Sequence, residues 1–333
     1  MSFSNISGPV KTWRNTGDSS APAKGAGSRS DSARVAARES AACQVALSAS
    51  NTSWQPSQLI TNISAVAIED APELALGNVF GADMINIFTV ALVAIIFGVR
   101  NLFADQTKDT QVLMLVSVGL AILALALAAT GDYALGWTSV GGLVMLAAYF
   151  GGMKLVYDAG KSDGDAEVES EGDRGSAKSA WLGFGGASLA ILVAAPLLAW
   201  SADGIAEATG LGASFMGVLA VSIVTTLPEA SVTIAAARRG SYGLVIGNIY
   251  GSCAFNLFVI PIADVFHTEG PLLGEMGSEH FVAAGSAILL MSIGFLMIRS
   301  YQDRLLRWFR GTVYAVPVVY PAALFLVFAL SQE

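Results

Sequence analysis

The sequence predicts an all-α integral membrane protein, an inverted-repeat bundle with eight clear spans and one incomplete one. Three observations carry that prediction. Of 333 residues, 54% are hydrophobic and only 13% charged, against roughly 25% charged in a typical soluble domain. Apolar runs of membrane-spanning length recur along most of the chain. A polar pattern, Gly-Asn-x-x-Gly-x-x-x-x-Asn, occurs twice inside such runs, at Gly77–Asn86 and at Gly247–Asn256.

Taken in order, residues 1–56 are rich in Ser, Ala, Gly and Arg and contain no apolar run, so composition predicts a disordered tail. Arg14, Arg29, Arg34 and Arg38 among many serines resemble an organelle transit peptide. An uninformative tail or a misread gene start competes with that reading. Gln58–Ile68 is apolar but too short to span. The predicted spans are Leu74–Gly98, Val112–Thr130, Tyr133–Val156, Trp181–Ala202, Ala213–Ala237, Leu244–Val265, Phe281–Ile298 and Val313–Leu330. They group into a first membrane region, 57–156, and a second, 181–333. Between them, 157–180 is a Gly/Ser-rich linker with Asp163, Asp165, Glu167, Glu169, Glu171 and Asp173, expected to be solvated.

Orientation follows from the loops. If the spans alternate, one set of loops contains twelve Lys and Arg residues, among them Arg100, Lys154, Arg238, Arg239, Arg304, Arg307 and Arg310. The opposite set, around Asp70, Asp132, Asp203 and His267, contains none. The basic side is cytoplasmic, which puts the acidic linker in the cytoplasm of a cell inner (plasma) membrane protein. His267 and His280 fall in the outer loop and are expected to be solvated.

Several classes are excluded or left without support. The net charge of −8 resides mostly in loops and gives no reason to expect a nucleic-acid partner. Cys43 and Cys253 form neither a disulfide framework nor a metal-ligand spacing. No Ser/His/Asp, HExxH or Cys/His constellation lies in the spans, so an enzyme is not expected.

The polar residues concentrate between Val221 and Val265. Thr225, Thr226, Pro228 and Glu229 interrupt one span, and Gly247, Asn248, Gly251, Ser252 and Asn256 the next. An ionisable residue inside a membrane is costly and marks a functional site by default. Glutamate, hydroxyls, amides and carbonyls freed by proline make an all-oxygen set suited to hard cations. Two packed helices with small interface residues would account for the glycines but not for Glu229 beside two threonines. The matching stretch around Gly77, Asn78, Gly81 and Asn86 lies in the other half, with Asp83 nearby. The loop within the first unit is acidic, and its counterpart carries Arg238 and Arg239. Like sequence with opposite orientation is the mark of inverted-topology repeats, whose mid-membrane interface holds the substrate site of secondary transporters.

These residues resemble the α-repeats of the cation/calcium exchanger superfamily. The second repeat matches as Thr225-Thr226-Leu227-Pro228-Glu229 and Gly247-Asn248-Ile249-Tyr250-Gly251-Ser252, followed by Asn256. The first matches in Gly77, Asn78, Gly81 and Asn86, while Ala82 and Asp83 replace Ser and Asn. The resemblance implies that Glu229 is the central cation ligand, with Thr225, Thr226, Ser252, Asn256, Asn86 and Asp83 around it. Where the family has a second glutamate, this chain has Gln58 if one loop residue is inserted, or Leu59 if not. The family has ten helices, of which the first and half of the second are missing here. The break near Gln58 suggests a frameshift or a wrong start site.

The implied activity is antiport of Ca²⁺ against Na⁺ by alternating access, with H⁺ or K⁺ coupling as variants. The ions are substrates, no cofactor is expected, and the oligomeric state is open. A transport-incompetent or regulatory protein of the same fold, and more remotely a channel, are the competing expectations. Asp83 either turns inward to restore a carboxylate or sits as a polar residue at the mouth of its span.

Overall fold

The computed structural model describes residues 56–104, 106–162 and 177–332, with backbone alone for residues 162 and 177–192. Apart from one isolated β-bridge between Ala134 and Ser139, the regular structure of these residues is helical. The helices are α1 (Pro56–Ala67), α2 (Pro72–Phe97), α3 (Val99–Phe103), α4 (Lys108–Thr130), α5 (Val140–Ser162) and α6 (Ala177–Thr209). There follow α7 (Ala213–Arg238), α8 (Tyr242–Asp264), α9 (Ser278–Gln302) and α10 (Val316–Leu330). A 3₁₀-helix, Arg304–Ala315, leads into α10. Among the described residues, seven helical segments are long and apolar enough to cross a membrane. The eighth expected span, Trp181–Ala202, lies inside α6. At 12 residues, α1 is too short to cross about 30 Å of hydrocarbon.

The two helices bearing the Gly-Asn pattern form the core of the bundle. The central windows of α2 and α8 are 72% and 67% buried, against 28% and 22% for α4 and α5. Helix α2 packs on α7, α8 and α9, and α8 on α1, α4, α5 and α7. Helices apolar on every side are buried ones, and small residues let their backbones approach closely. At Gly81, an added Cβ would lie 2.5 Å from the Val218 Cα and 2.8 Å from its carbonyl carbon. At Gly77 it would lie 3.2 Å from the Val218 nitrogen. Just there α7 loosens into a π-helical turn, Gly217–Val221, in which the Ser222 N–H reaches back to the Gly217 carbonyl.

Three expectations are corrected. Tyr133–Thr138 is a turn rather than the start of a span, because Gly131 and Gly136 take φ values of 81° and 70° that favour glycine. Asp264 Oδ2 then accepts from Thr138 Oγ1 (2.9 Å) and Ser139 N–H (2.8 Å), so the helix begins at Val140. Its other oxygen accepts from Leu272 N–H at 2.8 Å, so one carboxylate at the end of α8 ties two loops together. The linker is shorter at both ends than expected, since α5 runs to Ser162 and α6 begins at Ala177. Its acidic residues Asp163 to Asp173, like the N-terminal tail and Cys43, lie outside the described residues.

The two histidines are not solvated. His280 is fully buried, with Nε2 3.0 Å from the Glu73 carbonyl and Nδ1 accepting from Gly277 N–H at 3.1 Å. His267 is 8% exposed, with Nδ1 3.0 Å from the Gly270 carbonyl. Gly277 N–H and the Gly270 carbonyl lie outside the helices, so these ring contacts give them partners.

Candidate functional site

Two amide clusters follow a similar pattern, with a side-chain oxygen of Gln58 as acceptor in one and the backbone carbonyl of Glu229 in the other. In the first half, Asn78 of α2 donates from Nδ2 to Gln58 Oε1 (2.9 Å) and Asn62 Oδ1 (3.2 Å), both on α1. In the second half, Asn248 of α8 donates to the Glu229 carbonyl (3.2 Å) and Thr233 Oγ1 (3.0 Å), both on α7. Residues four apart on a helix share a face, so each asparagine reads one face of the preceding helix. Gln58 therefore stands where Glu229 stands, and Asn62 where Thr233 stands. The register includes the one-residue insertion: Gln58 lies 20 residues before Asn78, and Glu229 19 before Asn248.

A second mirrored pair lies where α2 crosses α8. Asn256 Nδ2 donates to Asp83 Oδ1 at 2.9 Å. Asn86 Nδ2 donates to Ser252 Oγ at 3.0 Å and lies 3.9 Å from Cys253 Sγ. Position numbers rise along α2 as they fall along α8, so the helices cross antiparallel. In the repeat alignment Asp83 corresponds to Cys253 and Asn86 to Asn256. The Asp83–Asn256 contact is thus the two-fold image of the Cys253–Asn86 contact. Apart from Asp264 at the end of α8, each repeat carries one buried carboxylate at a different place: Asp83 with neutral Gln58 in the first, Glu229 with neutral Cys253 in the second.

The hydroxyls complete the lining. Thr225 Oγ1 lies 3.0 Å from Asn78 Oδ1 and 2.9 Å from the Val221 carbonyl, joining α7 to the first cluster. Thr226 Oγ1 bonds back to the Ser222 carbonyl at 2.7 Å. A hydroxyl whose proton goes to its own helix keeps lone pairs for another partner. Ser222 bonds in the same way to the Val218 carbonyl.

All seven expected site residues are at most 6% exposed. The structure groups Asp83 with Asn256, Asn86 with Ser252, and Thr225 with Asn78. Among the described residues no hydrogen bond joins Glu229 to Asp83, Asn86, Ser252 or Asn256, so the set is several neighbouring pairs rather than one closed cage. Three buried oxygens in it lack a hydrogen-bond partner: Glu229 Oε2, Asp83 Oδ2 and Asn256 Oδ1. Asp83 is fully buried, which places it in the interior and not at a span mouth. Sequence reading left Asn62, Asn78, Thr233 and Asn248 out of the site. Their signal was present in the shared Asn of the two Gly-Asn patterns and in the four-residue spacings Gln58/Asn62 and Glu229/Thr233.

Comparison with known proteins agrees with this architecture. The family described as "Sodium/calcium exchanger protein" matches residues 56–157 and 179–331. The chain is 26% identical over 241 residues to the inner membrane protein YrbG of Escherichia coli (strain K12), covering 70% of this chain and 71% of that one. It is 35% identical over 71 residues to the sodium/calcium exchanger MaX1 of Methanosarcina acetivorans, 21% of this chain and 20% of that one. The solved structure of the H⁺/Ca²⁺ exchanger CAX shares the fold, with a TM-score of 0.54 at 13% identity over 88% of this chain and 82% of that one. With both halves of the bundle matched, the chain belongs to the sodium/calcium exchanger family, multi-pass membrane proteins that act as cation antiporters.

Proposed function

We propose that this antiporter exchanges Ca²⁺ for Na⁺ by alternating access, holding the cation between α2, α7 and α8. Glu229 and Asp83 supply the charge, and Thr225, Thr226, Ser252, Asn256 and Asn86 supply neutral oxygens. The observation that carries this reading is the three partnerless buried oxygens of Glu229, Asp83 and Asn256. A buried acceptor without a donor is costly, and a charged one more so. A bound cation would provide the missing partner. The donors are oxygens, as hard cations require, and two carboxylates match the charge of a divalent ion. The two-fold arrangement supports alternating access, because inverted repeats can exchange conformations around a fixed midplane site. The direction of the loop charges supports placement in the cell inner membrane with the linker in the cytoplasm.

The test is ⁴⁵Ca²⁺ uptake into proteoliposomes of the full chain, with and without an outward Na⁺ gradient. Gradient-dependent uptake, abolished in a well-inserted Glu229→Gln protein, is the expected result. Uptake driven only by a pH or K⁺ gradient would replace the coupling ion. No uptake under any gradient, or normal exchange by Glu229→Gln, would overturn the assignment.

A further inference from the structure

The 3₁₀-helix Arg304–Ala315 carries a surface that the exchange chemistry does not use. With three residues per turn, Arg304, Arg307 and Arg310 fall in one file, and Leu305, Trp308 and Tyr314 in the neighbouring one. The ends of the helix are held. Asp303 Oδ1 accepts from Leu305 N–H at 2.9 Å. Arg310 Nε donates to the Ser300 carbonyl at 3.1 Å, and its guanidinium lies 4.7 Å from the Tyr301 ring centre. Val313 is 2% exposed. The middle is left facing outward. Leu305 and Trp308 are each 84% exposed, and Arg304 and Arg307 are exposed with no ion-pair partner among the described residues.

Position says what this face meets. The helix follows the span Ser278–Gln302 and forms the first part of the candidate span Arg304–Leu330. Its three arginines, costly in hydrocarbon, put it at the end of that segment, where hydrocarbon gives way to headgroups. It also lies on the side whose loops hold the twelve basic residues, the cytoplasmic side by the positive-inside rule. Water is a poor solvent for an exposed leucine beside an exposed tryptophan, whereas indole rings prefer the membrane interface. Guanidinium groups pair with phosphate in a planar, two-bond geometry. An amphipathic helix with arginines beside Trp and Leu is the form that binds anionic bilayer surfaces.

We propose that Arg304–Ala315 is a binding surface for anionic phospholipid of the cytoplasmic leaflet. Leu305 and Trp308 enter the acyl boundary, and Arg304 and Arg307 hold the headgroup phosphate. This holds whichever ions the protein exchanges.

The experiment reads Trp308 directly. The full chain is reconstituted with brominated phosphatidylglycerol or brominated phosphatidylcholine at equal mole fraction. The Trp308 contribution to fluorescence quenching is the difference between the wild type and Trp308→Phe. Preferential quenching by the anionic lipid is expected, with the relative association constant falling about fivefold for each arginine removed in Arg304→Gln and Arg307→Gln. Both substitutions are on the exposed surface, and an unchanged melting temperature verifies that the variants are folded. Equal quenching by the two lipids, quenching by neither, or a preference that survives the double substitution would overturn the proposal.

Discussion

Replacing Gly81 by alanine tests whether α2 and α7 are locked backbone to backbone. The new Cβ would lie 2.5 Å from the Val218 Cα and 2.8 Å from its carbonyl carbon. Non-bonded carbons rest at about 3.5 Å, so the helices must separate by about 1 Å. The obstacle is main chain, so no rotamer change relieves it. Overpacking of this kind costs about 1–3 kcal/mol, and the upper half of that range is expected where backbone opposes backbone. Alanine's better helix propensity returns only about 1 kcal/mol. Gly119, an exposed glycine in α4 with nothing within 4 Å of an added Cβ, is the control. The Gly81→Ala protein in detergent should melt clearly below the wild type, and Gly119→Ala at or slightly above it. Transport should suffer more than stability, since the displaced α7 carries Thr225, whose hydroxyl touches Asn78 across the same interface. A Gly81→Ala protein that melts like wild type and transports normally would refute the locked contact.

Asp83→Asn should weaken Ca²⁺ affinity in uptake titrations while leaving insertion intact, because it removes one of the two carboxylates of the proposed site and keeps a partner for Asn256. An unchanged affinity would reduce Asp83 to packing. Asp264→Asn should destabilise the protein by about 2–3 kcal/mol, because its carboxylate takes three donors (Thr138, Ser139 and Leu272) and an amide would present N–H to one of them. Thermal unfolding of the purified variant checks this, and a melting curve like that of wild type would show that the loops hold without the carboxylate.

The spans were legible because hydrocarbon leaves little choice, and runs such as Leu74–Gly98 announce themselves by length and apolarity. Glu229 was legible for the opposite reason, as a charge where none is free. The short apolar piece at Gln58 gave away less. Its polar residues look incidental until Asn78, 20 residues on, is seen bonding to Gln58 and Asn62 together. The true start of α5 was hidden because Tyr133, Leu135 and Trp137 read as membrane residues, while the carboxylate that shapes the turn lies 126 residues away from Thr138. His280 misled in the same way. A histidine in a polar loop reads as solvated, and only the fold brings the Glu73 carbonyl to it from 207 residues distant.

The π-helical turn at Gly217–Val221 acts as a phase shifter. Each residue of an α-helix advances the side chain by about 100°, so a stretch holding one residue more than α-geometry allows rotates everything beyond it by that amount. Before the turn, α7 presents Ser214 and Gly217 to the close contact with α2. After it, Thr225 and Glu229 are buried. A regular helix of the same length could not set both stretches in their present directions at once. Straightening Gly217–Val221 into regular α-helix at unchanged length would leave composition and hydropathy unchanged, yet swing Glu229 by nearly a third of a turn out of register with Asn248, whereas deleting one residue as the turn straightens would keep its direction.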